Sequence, residues 1–410
     1  MDNGLRVVVL PDSTPGLVAV QTWISVGSGA ENVPGSTGYA HFLEHLMFHG
    51  TPTLSGPQRE ARLVAMGVEE NAWTSQDETC YFLLGPAQHL EELLRIEADR
   101  FANLSLDEEG VRREAGAVYG EYRNSAADPD DALWLKLWGT AFDRHPYGHN
   151  TLGLLTDIEA MPDGLQRAMA FKEAHYRPDN ALVVVVGDVD PSQAMAQVEK
   201  AYGAWSAEGT APPAVAPQPP QTKSRRVHID WKGPAVDPKM AVGWRVPAFK
   251  PGDVNAAALD VVRELLMSRA SGLVRALIDD QGLAYEVWSE APDRADPGLL
   301  YMMMELKQGT DPDAVLAAVD AAILDLAQVS PGRVAMARGR VQRRLQIQLA
   351  GPEGRAHSLG RMALHGDGVS AHARHAAALA GVDVATVQAT VKRILVNPRR
   401  TVVTLSGGGE

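Results

Sequence analysis

The chain has one cysteine, Cys80, so it cannot form an intrachain disulfide, and its cysteine usage does not mark a redox compartment. It has no apolar run long enough to span a bilayer. Positive charge is in deficit: 38 Lys and Arg stand against 51 Asp and Glu, for a net charge of −13. That balance argues against nucleic acid or an anionic membrane surface as partner. It suits a basic peptide, although an acidic surface most often serves solubility alone. No secretory leader is recognisable at Met1-Asp2-Asn3-Gly4-Leu5, where a strand begins at once. The 410 residues are 45% hydrophobic, enough for two or more domains with cores of their own.

Five prolines, Pro212, Pro213, Pro217, Pro219 and Pro220, fall among small polar residues between Ala207 and Arg226. Such a stretch is a stiff, extended linker with no core. It gives an N-terminal domain over 1–206, a linker over 207–226 and a C-terminal domain over 227–410. The two halves share an outline. The first opens with strands at Leu5–Leu10 and Leu17–Val26 and then a helix. The second opens with strands at Arg226–Trp231 and Met240–Val246 and then a helix at Val254–Met267. Each half ends on a hydrophobic strand, Ala181–Val186 and Arg400–Leu405. Between them lie amphipathic helices such as His89–Phe101, Glu108–Arg123 and Gly332–Gln348. The expected fold class is α+β, a diverged internal duplication of one α/β unit joined by the linker.

Within the apolar stretch Tyr39 to Phe48 stands His41-Phe42-Leu43-Glu44-His45, an H-x-x-E-H run. On a helix His45 follows His41 by one turn, with Glu44 on the same face. Two imidazoles so spaced can share one Zn²⁺ while the carboxylate acts on water. The order is that of the inverzincins. The competing reading is a core helix with two structural histidines and a surface or capping Glu. Three polar groups on so apolar a helix are costly unless something satisfies them, which favours the metal reading. A catalytic zinc needs a third protein ligand and an open position. Glu114 and Glu121 lie two turns apart on one face of the Glu108–Arg123 helix, so Glu121 is a candidate ligand with Glu114 behind it. A solvated charged face is the plainer reading of the same spacing.

The chain resembles the pitrilysin/insulinase/mitochondrial processing peptidase family of zinc endopeptidases. Gly38-Tyr39-Ala40-His41-Phe42-Leu43-Glu44-His45-Leu46-Met47-Phe48, followed by Gly50-Thr51, is similar to that family's active-site helix. Asn71-Ala72-Trp73-Thr74-Ser75, with Asp77, Thr79 and Tyr81, resembles its substrate-facing strand. His145-Pro146-Tyr147-Gly148, Tyr176-Arg177-Pro178-Asp179-Asn180, Gly187-Asp188 and Gly282-Leu283-Ala284-Tyr285 extend the likeness over nearly the whole chain.

The resemblance implies two homologous α/β-sandwich domains and one Zn²⁺ per chain, held by His41, His45 and Glu121. It makes Glu44 the general base, with Glu114 supporting the ligands from outside. Asn71, Ala72, Trp73 and Thr74 become a docking strand that adds an extended peptide to a sheet edge. Tyr285 becomes a substrate contact. His49 is read as a helix-end or rim residue, and His145 as a loop cap in preference to a substrate contact. One departure stands out. Active members pair that Tyr with an Arg seven residues earlier, where this chain has Ile278; Arg275 lies about one turn away, and Gly272 replaces a second family Arg after Ser271. Half-length members pair into a clam-shell, so the expectation is a catalytic subunit with a homologous partner supplying the Arg/Tyr pair. A homodimer is second choice. A non-catalytic structural or assembly subunit of the same fold, and a zinc hydrolase of small molecules, are the competing functions. The compartment, bacterial cytoplasm or periplasm, is left open.

Overall fold

The computed structural model describes residues 1–408 except 207, 208, 210, 211, 213, 270, 366, 367, 369, 397 and 398. Part of the Pro-rich stretch, Pro213 included, therefore lies outside the described residues. The chain forms two compact units. The first comprises Met1–Tyr122, His149–Val215 and Ile347–Val369. The second comprises Arg123–Gly148, Ala216–Gln346 and Ser370–Glu410.

The first unit is built on a five-stranded sheet of β1 (Arg6–Pro11), β2 (Leu17–Ile24), β3 (Glu69–Thr74), β4 (Thr79–Pro86) and β5 (Ala181–Gly187), in the order β1-β5-β2-β4-β3. β1 and β5 run parallel, and the other neighbours run antiparallel. The run of valines in β5 is buried on both faces, which a strand interior to a covered sheet requires. Its side chains alternate between two cores. Val183 and Val185 join the large core that also holds Phe42, Leu43 and Leu46 of α1 (Tyr39–Leu46). Leu182, Val184 and Val186 join a smaller one on the opposite face, with Trp23, Ala356 and Ala363. That outer face is covered by the helix Gly351–His365, drawn from late in the chain. α2 (Gly56–Ala65), α3 (Leu90–Asn103) and α4 (Glu108–Ala126) complete the part of this unit that surrounds α1.

The second unit repeats the plan. Its strands β6 (Arg225–Trp231), β7 (Lys239–Arg245), β8 (Ala284–Glu290), β9 (Leu299–Leu306) and β10 (Arg400–Gly407) are ordered β6-β10-β7-β9-β8, the same permutation. Again one pair, β6 and β10, is parallel. One face carries the helix Val254–Met267, which has no histidine. The other carries α5 (Pro129–Ala141), whose Leu133, Leu137 and Trp138 pack with Ala241, Met303 and Val403. The shared topology bears out the duplicated α+β architecture. Among the described residues no single helix is long and apolar enough to cross a membrane.

Candidate metal centre

The helix α1 starts at a point fixed by sterics and charge. Gly38 precedes it at φ +84°, and a Cβ there would lie 2.3 Å from the carbonyl oxygen of Leu152. The N–H groups of the first turn have no partners inside the helix. The buried Glu31 takes two of them: Oε2 accepts from Gly38 N and Oε1 from Ala40 N, both at 2.8 Å. Burial pushes the Glu31 carboxyl well above the usual carboxylate range, against the pull of those N–H groups. Next to it, Thr37 is tied through its N–H and hydroxyl to Asp157 at 3.1 and 2.6 Å.

From that start, His41, Glu44 and His45 fall on one side of α1, facing Glu121 of α4. His41 Nε2 lies 3.6 Å from Glu121 Oε2, and His45 Nε2 lies 3.5 Å from Glu121 Oε1. These separations are too long for good hydrogen bonds. Each to its own oxygen of Glu121, they are of the size that separates ligand atoms about one zinc, whose bonds of about 2.0–2.2 Å put tetrahedral neighbours roughly 3.3–3.6 Å apart. One ligand atom from each of the three residues falls within 4.8 Å of the others. Burial, and then the neighbouring His45, lower the pKa of His41 to about 4. Its ring is therefore neutral at neutral pH, the state that ligates metal. The chain's own residues fit the ion.

The helix α4 that carries Glu121 also supplies Glu114. Its Oε2 stands 3.6 Å from His45 Nδ1, the nitrogen turned away from Glu121, and its Oε1 stands 3.3 Å from His49 Nε2. At 3.6 Å the acid makes no good hydrogen bond to His45, but it stands where a carboxylate can orient an imidazole that binds metal. His49 lies beyond the end of α1, in the turn toward Gly50, and has this specific partner. The ring has room because residue 110 is glycine: a Cβ there would come within 2.3 Å of His49 Cε1.

Glu44 is buried, and desolvation raises its pKa, with Glu121 adding to the rise. The Thr74 hydroxyl, and then His45, pull it back. Thr74 Oγ1 donates to Glu44 Oε2 at 2.5 Å. Beside Glu44 and His45 opens a cavity of about 630 Å³, also lined by Phe48, Arg59, Asn71 and Glu114. Phe48 forms part of its wall, with the guanidinium groups of Arg59 and Arg100 at 5.7 and 5.2 Å from its ring centre.

The residues expected on the docking strand divide between the two faces of β3, the edge strand of its sheet. Ala72 packs toward the core that includes α1, and Thr74 reaches Glu44. Trp73 faces the other way, its ring 5.3 Å from Trp23 and 5.6 Å from His357. Asn71 is exposed and accepts from the N–H of Ala72. Tyr285 belongs to the second unit, on its edge strand β8, 54% exposed with Lys307 over its ring. Ile278 packs against that unit's core, and Arg275 is paired with Asp280 at 3.1 Å. His145 Nε2 lies 3.3 Å from Asp296 in the same unit. A second cluster of ligand-type side chains, Asp77, Glu78 and His365, has Arg361 3.9 Å from Glu78, a charge that opposes a cation there.

Sequence reading missed Glu31, the Thr74 contact to Glu44 and the His49 contact to Glu114. Glu31 carried no signal, because its partners are backbone groups seven and nine residues away. Thr74 stood inside a recognised segment, but strand alternation does not say which residue meets a side chain from another element.

Residues 6–154 match the family described as Insulinase (Peptidase family M16), and residues 165–340 match the Peptidase M16 inactive domain. The "Zinc protease PqqE" of Helicobacter pylori is 31% identical over 301 residues, covering 70% of this chain and 65% of that protein. The "Uncharacterized zinc protease YmxG" of Bacillus subtilis is 30% identical over 300 residues, covering 73% and 70%. The chain thus spans just under two thirds of the length of the first of these relatives. The fold is that of a crystal structure of a protease from Helicobacter pylori, with a TM-score of 0.92, 24% identity and 99% and 98% of the two chains covered. It is also that of a putative M16-like peptidase from Alicyclobacillus acidocaldarius, with a TM-score of 0.85, 19% identity and 100% and 97% covered. Containing both of the family's domains and 30% identical to a zinc protease across most of its length, the chain belongs to the M16 peptidase family.

Proposed function

We propose that this chain is a zinc-dependent endopeptidase subunit that hydrolyses unfolded peptides. The observation that carries the reading is the approach of His41 Nε2 and His45 Nε2 to the two carboxylate oxygens of Glu121, at 3.6 and 3.5 Å, with one ligand atom of each residue within 4.8 Å of the others and Glu44 on the same helix as the histidines. His41, His45 and Glu121 would hold the ion, one per chain. When bound, zinc supplies Lewis acidity that activates water and polarises a carbonyl. Glu44 takes a proton from the attacking water and passes it to the leaving amine. Its raised pKa suits a group that must hold that proton in passing. Glu114 keeps the His45 ring in register from behind. The β3 edge takes an extended peptide through backbone hydrogen bonds, with Asn71, Ala72 and Trp73 contributing main chain more than side chain.

The substrate grip comes in part from a homologous partner subunit. Tyr285 is exposed, yet the position where the family has Arg holds Ile278, partly buried against the core, and Arg275 is paired with Asp280 at the surface. A chain with its metal ligands in place but no free Arg for that pair is suited to a heterodimer in which another subunit supplies both. On this reading the purified chain alone has little activity, and a second subunit of similar size co-elutes from the native source. The four-residue set His41, Glu44, His45 and Glu121 argues against a purely structural subunit, which has no use for it.

The test is cleavage of a panel of unstructured peptides by the assembly purified from the native source, with and without Glu44→Gln. The reading expects hydrolysis that Glu44→Gln abolishes while zinc stays bound. Full activity of Glu44→Gln would sink it.

A further inference from the structure

We infer that Thr74 is a positioning residue for the general base: its hydroxyl fixes Glu44 by one carboxylate oxygen and leaves the other for the reacting water. This rests on the peptidase reading above and assigns Thr74 a task distinct from contact with substrate. Thr74 closes β3 and pairs across the ladder with Thr79, the first residue of β4. Its backbone is thereby fixed by the sheet, and the turn that follows is closed by Ser75 N donating to Glu78 O at 2.8 Å.

The direction of the hydrogen bond follows from counting protons. A hydroxyl has one to give. Thr79 gives its own to the carbonyl of Val26 at 2.9 Å. An ionised Glu44 has none to give. Thr74 is therefore the donor in the 2.5 Å contact to Glu44 Oε2, and the nearby Thr79 Oγ1, at 3.4 Å, offers no competing acceptor of equal strength. Glu44 Oε1 has no comparable partner among the described residues. A glutamate has three side-chain torsions to order, and a bond to one oxygen from a residue locked in a sheet removes most of that freedom before substrate arrives. The same bond joins the proposed docking strand to the helix that carries the base.

Two substitutions separate this role from a structural one. Thr74→Val keeps the shape and the β-branched strand preference and removes only the hydroxyl. Thr74→Ser restores the hydroxyl on a smaller side chain. Both are assayed in whichever assembly, the chain alone or the chain with its co-purified subunit, cleaves an unstructured peptide. Thr74→Val is expected to lower kcat about ten- to a hundredfold, with KM and zinc content unchanged. Thr74→Ser is expected to recover most of the rate. Unchanged kcat in Thr74→Val, a rise in KM alone, or failure of Thr74→Ser to recover would overturn the assignment. A second readout does not depend on activity: crystal structures of the zinc-loaded wild type and Thr74→Val. The account expects Glu44 to move or adopt several rotamers in the variant. A Glu44 in the same single position in both would contradict it even if the peptidase reading stands. Loss of the peptidase reading itself would show instead as hydrolysis that survives Glu44→Gln.

Discussion

Glu121 Oε1 lies 3.5 Å from His45 Nε2, although the two residues sit on different helices and, among the described residues, neither side chain makes a hydrogen bond that explains the approach. Two polar groups at that spacing, too far apart to bond and too close to ignore each other, are arranged for something between them. Two acids and a hydroxyl flank α1: Glu31 meets the N–H groups at its start, Glu114 lies 3.6 Å behind His45, and Thr74 donates to Glu44.

Removing the distal ligand should release the metal. Glu121→Ala is expected to weaken zinc binding by more than about a hundredfold, and Glu114→Gln by about ten- to a hundredfold, the range for a partner that orients a ligand. Competition with a chelator of known affinity measures both. Equal effects of the two substitutions would mean that the roles of Glu114 and Glu121 have been misassigned.

Gly110 gives a sharper test of the outer arrangement. Alanine there gains about 1 kcal/mol of helix propensity but pushes the His49 ring off Glu114. Ring displacement costs a similar amount, because the ring is the mobile end of a side chain. Gly110→Ala should therefore leave thermal stability within about 1 kcal/mol of the parent while weakening zinc binding. Denaturant unfolding and chelator competition on the same sample separate the two effects.

Glu31 should matter more for stability than its position in a loop suggests. Glu31→Gln keeps one acceptor oxygen but turns an NH₂ group toward a backbone N–H. The expected loss is about 1–3 kcal/mol, the cost of a buried donor left without a partner. A variant as stable as the parent would remove Glu31 as the cap of α1.

Acid should destabilise the fold through His175, which is remote from the metal ligands in sequence and almost fully buried. Burial, and then Arg177, lower its pKa to about 4 in the folded state, against an ordinary value of 6.5. Between those values the unfolded chain binds more protons, so stability rises with pH there. The contribution is complete above about pH 6.5 and is lost as pH falls toward 4, on the order of 3 kcal/mol in all. Replacing His175 with Gln should flatten the slope of unfolding free energy against pH across that window. An unchanged slope would assign the acid sensitivity elsewhere.

Three strands of each sheet were legible, because apolar strands open and close both halves in the same order, whereas β4, β8 and β9 were not read from the sequence. The helices that cover the sheets' outer faces were not legible. An amphipathic stripe says that α5 and the helix Gly351–His365 must bury one side, but not which sheet receives it, and each joins the sheet built by the other half of the chain. The metal site was readable as far as residue spacing goes, in His41, His45 and the Glu114–Glu121 pair. The groups that fix those side chains act through tertiary contacts. Trp73 shows the same limit: strand alternation puts its ring on the far face from α1, against Trp23 and His357.

The most direct test of the account is the zinc content of the purified chain by elemental analysis, in the wild type and in Glu121→Ala. The account predicts one zinc per wild-type chain and a small fraction of that in Glu121→Ala after identical dialysis. A wild-type chain that holds no zinc, or a variant that holds as much as the wild type, would contradict it.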